Sequence, residues 1–443
     1  MGAVARSVRA LVAFAYSDRT ILSYYGFMAT YSVGFIWPIF TLFLLWNDLS
    51  FTEIGLLSAV SAVLVVVLEV PTGYLADRIG RRRVLLLGLL AMAASLLGFV
   101  VAAAFWQFVV LYALWSISTA FHSGTADAWL YDTLRESVRE DEFTRIRGRG
   151  GAIYEWTSAA TMIVGGLLYV LHPTYPFVAS AALHGFGMAI VVSMPRNERY
   201  RTERPDGGQS APNIDQSDGA GDDAEPAGSS AGATASFHRT LSTTRRVLFS
   251  RKLRLFVGFV ACFFAVVQAT DTYIQPITET LLADALESVT VAGRPLPEPA
   301  LLGVLYATFA AVGAIASDRA GAVYSRFGSR SAVVWLAFGV AVSLLVPWFV
   351  ALLAIPVFVL LKGAYALSKP LVTQYVNDHA ATANRATVLS ATSMTFALVR
   401  APLKPVSGIV ADATSPIATV ALLGVGLLGA VGVVAVRSDW LRS

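Results

Sequence analysis

Apolar residues dominate the chain in long runs separated by short clusters of charge. The first run, Ile21 to Asn47, carries no charged residue at all. At ~1.5 Å rise per residue, such a run crosses a ~30 Å hydrocarbon core as a helix. Similar runs follow at 53–76, 84–103, 107–133, 150–171 and 175–194, then at 255–281, 300–317, 331–348, 350–376, 386–411 and 415–436. Lipid offers backbone groups no partners, and these runs are too long and too uniformly apolar for barrel strands. The pattern predicts an all-α membrane protein of twelve transmembrane helices (spans 1–12), six on each side of a polar break.

The break has a different chemistry. Residues 205–236 hold six acidic residues, no basic ones, and many Gly, Ala, Ser and Pro. Such a stretch buries too little to offset its ordering entropy, so it is expected to be disordered. The expected organisation is therefore an N-terminal interfacial segment (1–20), a six-helix bundle (21–194), a linker (195–254), a second six-helix bundle (255–436) and a tail (437–443). Val4 to Ser17 is too short to span and reads as a helix lying in the membrane interface.

Composition narrows the function. Of 443 residues, 56% are hydrophobic and only 14% charged, with a mean hydropathy of +0.63. Soluble domains carry about a quarter charged residues. A soluble enzyme, a nucleic-acid binder and a disordered scaffold are thereby excluded. The net charge of +4 comes from arginines concentrated in the short loops after spans 2, 4, 8 and 10. The positive-inside rule then places both termini and the linker in the cytoplasm, with the chain in the plasma membrane. Cys262 is the sole cysteine, so no disulfide or thiolate metal cluster forms within the chain. The scattered histidines supply no nucleophile–base or metal cluster for a membrane enzyme. No Walker-type phosphate loop appears either, so neither ATP nor another cofactor nor a metal is expected.

The two halves echo one another. Gly73, Asp77, Arg78, Gly80, Arg81 and Arg82 mark the loop after span 2, and Gly321, Arg326, Gly328 and Arg330 follow span 8. A shift of 248 residues superposes Gly73, Arg78, Gly80 and Arg82 on the second set. A parallel repeat of six helices is the mark of a transporter built by duplication. The first copy resembles the signature loop of the major facilitator superfamily, as do Glu69-Val-Pro-Thr-Gly73, Ser123-Gly124 with Tyr131-Asp132, and Arg385-Ala-Thr387 with Ser390. The resemblance implies two six-helix halves and alternating access by a monomer. It also implies a small-molecule substrate, protons as the coupling ion, and Asp77 capping the start of span 11 as an inner clasp. In the second copy Ser325 stands in place of Asp77, span 4 lacks a buried Arg, and span 5 has Gly165-Gly166 without the Gly-Pro antiporter pattern.

Charges inside the spans each cost about 2.5–3.5 kcal/mol on insertion scales, so they ask for a reason. They are Glu69, Asp127, Glu155, Asp271, Lys362, Lys369, Arg400 and Lys404, and spans 3, 6, 9 and 12 carry none. In the resembled fold those four are the lipid-facing helices. Glu69, Asp127 and Glu155 form a layer about 10–12 Å from the cytoplasmic ends, and Asp271, Lys362 and Arg400 one about 22–26 Å deep. Asp127, Lys362, Asp271, Arg400 and His122 are the candidates for the substrate and coupling cavity. Glu69 and Glu155, with Gly73, Asp77, Arg78, Gly80, Arg81, Gly321, Arg326 and Gly328, are candidates for gating. Lys404 is expected to snorkel outward. A structural ion pair of Asp271 with Lys362 or Arg400 is as consistent with the pattern as a functional one. These charges leave two substrate readings: proton-coupled export of drug-like lipophilic compounds, and an organic-anion or metabolite permease. A non-transporting membrane sensor or scaffold is the alternative of another class.

Overall fold

The computed structural model describes residues 19–136, 142–195, 251–286, 290–291, 294–295, 297–379 and 385–436. The expected interfacial helix, the linker core and the tail lie outside the described residues. Spans 2 and 3 are Phe51–Ile79 and Arg81–Val101, and spans 5 and 6 are Phe143–Leu171 and Tyr175–Ser193. Spans 7 and 8 are Arg251–Leu286 and Glu298–Asp318. Span 9 is Ser329–Ser343 with a short continuation at Val346–Phe349. Spans 10, 11 and 12 are Ala354–His379, Arg385–Ala413 and Pro416–Val436. A two-residue antiparallel hairpin, Thr290–Val291 with Arg294–Pro295, sits between spans 7 and 8.

Two runs that read as continuous are broken. Span 1 is helical over 19–30, unwinds, and resumes as a 3-10 turn at Trp37–Ile39 and a helix at Phe40–Trp46. Span 4 divides into Phe105–His122 and Thr125–Glu136 at Ser123-Gly124, where Gly124 takes φ +72°. Eight of the described helices are long and apolar enough to cross a membrane unaided. Spans 1, 4, 5 and 11 are not among them, being either broken or polar.

Unwound backbone at membrane depth survives only where protein supplies its hydrogen-bond partners. In span 1 the Ser32 hydroxyl lies 2.8 Å from that of Ser158 in span 5 and accepts from the Gly34 amide at 3.0 Å. Gly165 lets span 5 press against this segment, since a Cβ there would stand 1.9 Å from the Phe35 carbonyl oxygen. Gln275, from the opposite half, caps the restarted helix: its carbonyl accepts from the Thr41 amide at 2.7 Å, and its amide donates to the Trp37 carbonyl at 2.8 Å.

Each half has its own core. One centres on Phe43, Phe99 and Phe177, with a second N-half cluster around Phe27 and Trp129; Phe256, Phe263, Phe358 and their neighbours fill the C-half. The halves meet along spans 2 and 11 and along spans 5 and 8. All but one of the side-chain hydrogen bonds joining the halves among the described residues lie at the end away from the arginines.

Candidate functional site

Between the halves lies a cavity of about 340 Å³, within the usual range for small-molecule sites. Its two walls differ. The N-half contributes Trp37, Phe40, Tyr112 and Trp115, with the hydroxyls of Ser58, Ser61 and Thr119. Phe40 stands 5.9 Å from the Tyr112 ring and 5.4 Å from that of Trp115, so these three rings form one aromatic surface.

The C-half contributes charge. Span 7 carries Gln268, Asp271, Thr272 and Gln275 at i, i+3, i+4 and i+7, which places them on one helix face. Span 11 presents Arg400 and Lys404 one turn apart, and the two helices dock rung by rung. Arg400 donates to the Gln268 side-chain carbonyl, and the Lys404 ammonium to the Thr272 hydroxyl at 3.1 Å. One turn further, the Tyr273 hydroxyl donates to that of Ser407 at 2.9 Å. From span 10, Lys362 reaches Asp271 at 2.8 Å and lies 6.0 Å from the Phe309 ring centre. Gln268 also donates to the Tyr365 hydroxyl at 3.2 Å, so a single network fixes the charged wall.

The structure thus brings Asp271, Lys362 and Arg400 together, and adds Lys404. That lysine does not snorkel outward: it turns into the cavity because span 7 offers Thr272 there. Asp127 and His122 lie outside this lining. The break in span 4 leaves Asp127 beside Arg147 of span 5, at 2.8 Å, where both side chains are about half exposed. His122 is buried within the N-half: its Nδ1 lies 2.8 Å from the Ser118 carbonyl oxygen, and its ring packs 4.5 Å from that of Tyr31.

The gating candidates gather at the arginine-rich end. Gly80 and Gly328, at φ +93° and +69°, each end one helix and start the next, a turn that favours glycine. Arg81 pairs with Asp132 at 2.5 Å and Arg78 donates to the Tyr74 hydroxyl at 3.4 Å, both within the N-half. Arg326 lies over the Phe327 ring. Glu69 accepts from Ser390 of span 11 at 3.3 Å, bridging the halves. Glu155 is exposed and within electrostatic range of Lys369 across the cleft. A Cβ on Gly73 or Gly321 would meet nothing within 4 Å. The Asp77 side chain lies outside the described residues.

At the opposite end the halves are sealed. A Cβ on Gly55 would stand 2.6 Å from the Lys404 carbonyl oxygen, and one on Gly408 2.3 Å from that of Phe51. Gly166 and Gly303 make the same approach between spans 5 and 8, at 2.3 and 2.5 Å from carbonyl oxygens. The Asp412 carboxylate, closing span 11, accepts from the backbone amides of Phe51 and Thr52 at 2.9 and 2.8 Å, and so caps span 2. Asp412 and Gln275 escaped a reading confined to charges within the spans. The polar stripe 268–271–272–275 was the available signal for Gln275.

The family comparison agrees with this architecture. The model of the Major Facilitator Superfamily matches residues 22–402, from span 1 into span 11. The chain belongs to the Major Facilitator Superfamily. Among its relatives, the MFS-type transporter YhjO of Bacillus subtilis (strain 168) is 33% identical over 115 residues, 26% of this chain and 28% of that protein. YxaM of the same organism, also an MFS-type transporter, is 26% identical over 164 residues, 35% of this chain and 38% of that protein. The matched segments therefore span well under half of these relatives' length. Among solved structures, the nucleoside transporter NupG superposes with a TM-score of 0.71 at 12% identity, covering 97% of this chain and 99% of that one. A D-xylose–proton symporter does so with a TM-score of 0.63 at 12% identity, covering 94% and 96%. At such identities the likeness is one of fold. The chain is thus a multi-pass membrane protein of a superfamily of transporters.

Proposed function

We propose that this chain carries a small organic solute across the plasma membrane by alternating access, with the arginine-rich end facing the cytoplasm. The observation that supports this most is the cavity itself: both halves build it, and the contacts between them concentrate at one end. Glycine approaches and the Asp412 cap close that end. Rocking the halves about the cavity would open it and close the other.

Asp271 is the carboxylate that the cavity offers to a coupling proton. Its protonation would release Lys362, changing the charge of the site in step with the proton. Export of lipophilic compounds is one form of this reading, supported by the aromatic wall. Sealed proteoliposomes with an internal pH probe test it, using lipophilic cations and small organic anions with and without a proton gradient. The expected result is saturable flux that the gradient drives uphill. Asp271→Asn should abolish uphill accumulation while sparing exchange of labelled for unlabelled solute, which needs no net proton movement. Flux that accumulates equally well in Asp271→Asn would move the coupling site elsewhere.

A further inference from the structure

We infer that the cavity takes an organic anion with an aromatic or flat apolar body, its acid group on Arg400 and Lys404 and its body on the Phe40–Tyr112–Trp115 surface. This rests on the transport reading above and names the substrate class of the same site. The charges decide it. Three cations and one carboxylate line the cavity, and the carboxylate is already engaged, since Asp271 pairs with Lys362 at 2.8 Å. Arg400 and Lys404 are left with neutral partners, the Gln268 carbonyl and the Thr272 hydroxyl. Neither makes an ion pair with a carboxylate among the described residues.

Two like charges one helical turn apart oppose one another, and a closed cavity without water makes them costlier. An anion bridging them removes both penalties, because a guanidinium and an ammonium side by side match the oxygens of a carboxylate or sulfonate. A lipophilic cation would meet a net positive wall instead. The opposite wall selects the rest of the molecule, since its rings and aliphatic side chains offer a broad apolar surface with hydroxyls but no charge. The two walls face one another across the halves, so an anion with a ring at its far end touches both at once and favours their closing. An empty carrier would have to shut on two uncompensated cations. Exchange of one anion for another is therefore the expected fast mode.

The test uses the purified full-length protein and a set matched in body but not in charge: hydrocinnamate, phenylpropylamine and phenylpropanol, with hexanoate as the anion lacking a ring. Calorimetry reports occupancy, checked by the part of the intrinsic fluorescence change that is lost in Trp37→Phe and Trp115→Phe. Hydrocinnamate should bind about tenfold or more tighter than each of the other three. Arg400→Gln and Lys404→Gln should each weaken it about tenfold, Arg400→Lys should retain most of the affinity, and Arg145→Gln, on the surface, should leave it unchanged. Should the glutamine variants misfold, Arg400→Lys with the ligand series still reads the charge preference. Amine or alcohol binding as tightly as hydrocinnamate overturns the anion class, and hexanoate binding as tightly overturns the aromatic requirement. Absence of saturable binding by the whole set at millimolar concentration overturns the proposal. Hydrocinnamate that binds with the expected preference but shows no counterflow in proteoliposomes keeps the site and sinks transport. Counterflow of phenylpropylamine alone keeps transport and sinks the anion.

Discussion

The two ends of the bundle are built from the same helices and differ in how close those helices come. Near the sealed end, spans 2 and 11 meet through Gly55 and Gly408, and spans 5 and 8 through Gly166 and Gly303, each glycine lying where a Cβ would strike backbone. Near the arginine-rich end, Gly73 of span 2, Gly148 and Gly151 of span 5 and Gly321 beyond span 8 have room for a Cβ among the described residues. Paired helices that touch at one end and part at the other imply a pivot, and the cavity lies at it. Asp412 closes span 11 and caps the start of span 2. Asp77 sits two residues before the other end of span 2, the end near the start of span 11. The helix pair thus carries a carboxylate near each end, and the Asp412 carboxylate is engaged in this state.

The severest way to break this contrast is Gly408→Val. Its side chain would collide with the Phe51 carbonyl oxygen, 2.3 Å from the new Cβ, and backbone cannot yield as a flexible side chain does. Overpacking of this kind costs about 3 kcal/mol, about a hundredfold in the population of the sealed state. A Ser58→Cys reporter in a Cys262→Ser background should then react with an impermeant maleimide from the sealed side about a hundredfold faster. An unchanged rate would show that this glycine contact does not hold the seal.

Asp412→Ala is the milder lesion at the same place. It removes a charged cap from two backbone amides without introducing bulk, a loss of about 1–2 kcal/mol. The same reporter should react about tenfold faster, and Asp412→Asn should fall between the two, since its amide oxygen still accepts but carries no charge.

Much of this was legible in the sequence, and the omissions have a common cause. The repeat of Gly80 at Gly328 was visible as a 248-residue echo, and both take positive φ. Asp271, Lys362 and Arg400 were visible because a charge in lipid is expensive wherever it lies. The Asp412 cap was not, because a carboxylate at the end of a span is indistinguishable from an ordinary surface acid until its partner, 360 residues away, is known. The unwinding of span 1 was hidden likewise. Its run of apolar residues satisfies every local rule for a helix, and only tertiary donors and acceptors, Ser32 on Ser158 and Gln275 on Trp37, make the break affordable. Span 4 misled in the same way, and its break at Gly124 leaves Asp127 beside Arg147 rather than in the cavity.

Gly73→Val sharpens the comparison from the other end. A Cβ there meets nothing in this state, so the melting temperature should move by no more than the ~0.5 kcal/mol typical of surface changes. If the halves pivot, however, Gly73 is where spans 2 and 11 must close when the sealed end opens. Counterflow should slow severalfold while substrate affinity in the present state stays constant. Affinity and rate falling together would instead place Gly73 in the folding of span 2.

The smallest effect belongs to Arg147→Gln. Arg147 holds Asp127 at 2.8 Å, but both side chains are about half exposed, and water screens exposed pairs to about 0–1 kcal/mol. The pair also lies within one half, so rocking neither makes nor breaks it. Thermal stability should fall by less than 1 °C per ~0.3 kcal/mol lost in a protein of this size, and the Ser58→Cys reporter should not change its rate. A reporter that does respond would mean that spans 4 and 5 shift against each other during the cycle, and that the N-half is not the rigid body its packing suggests.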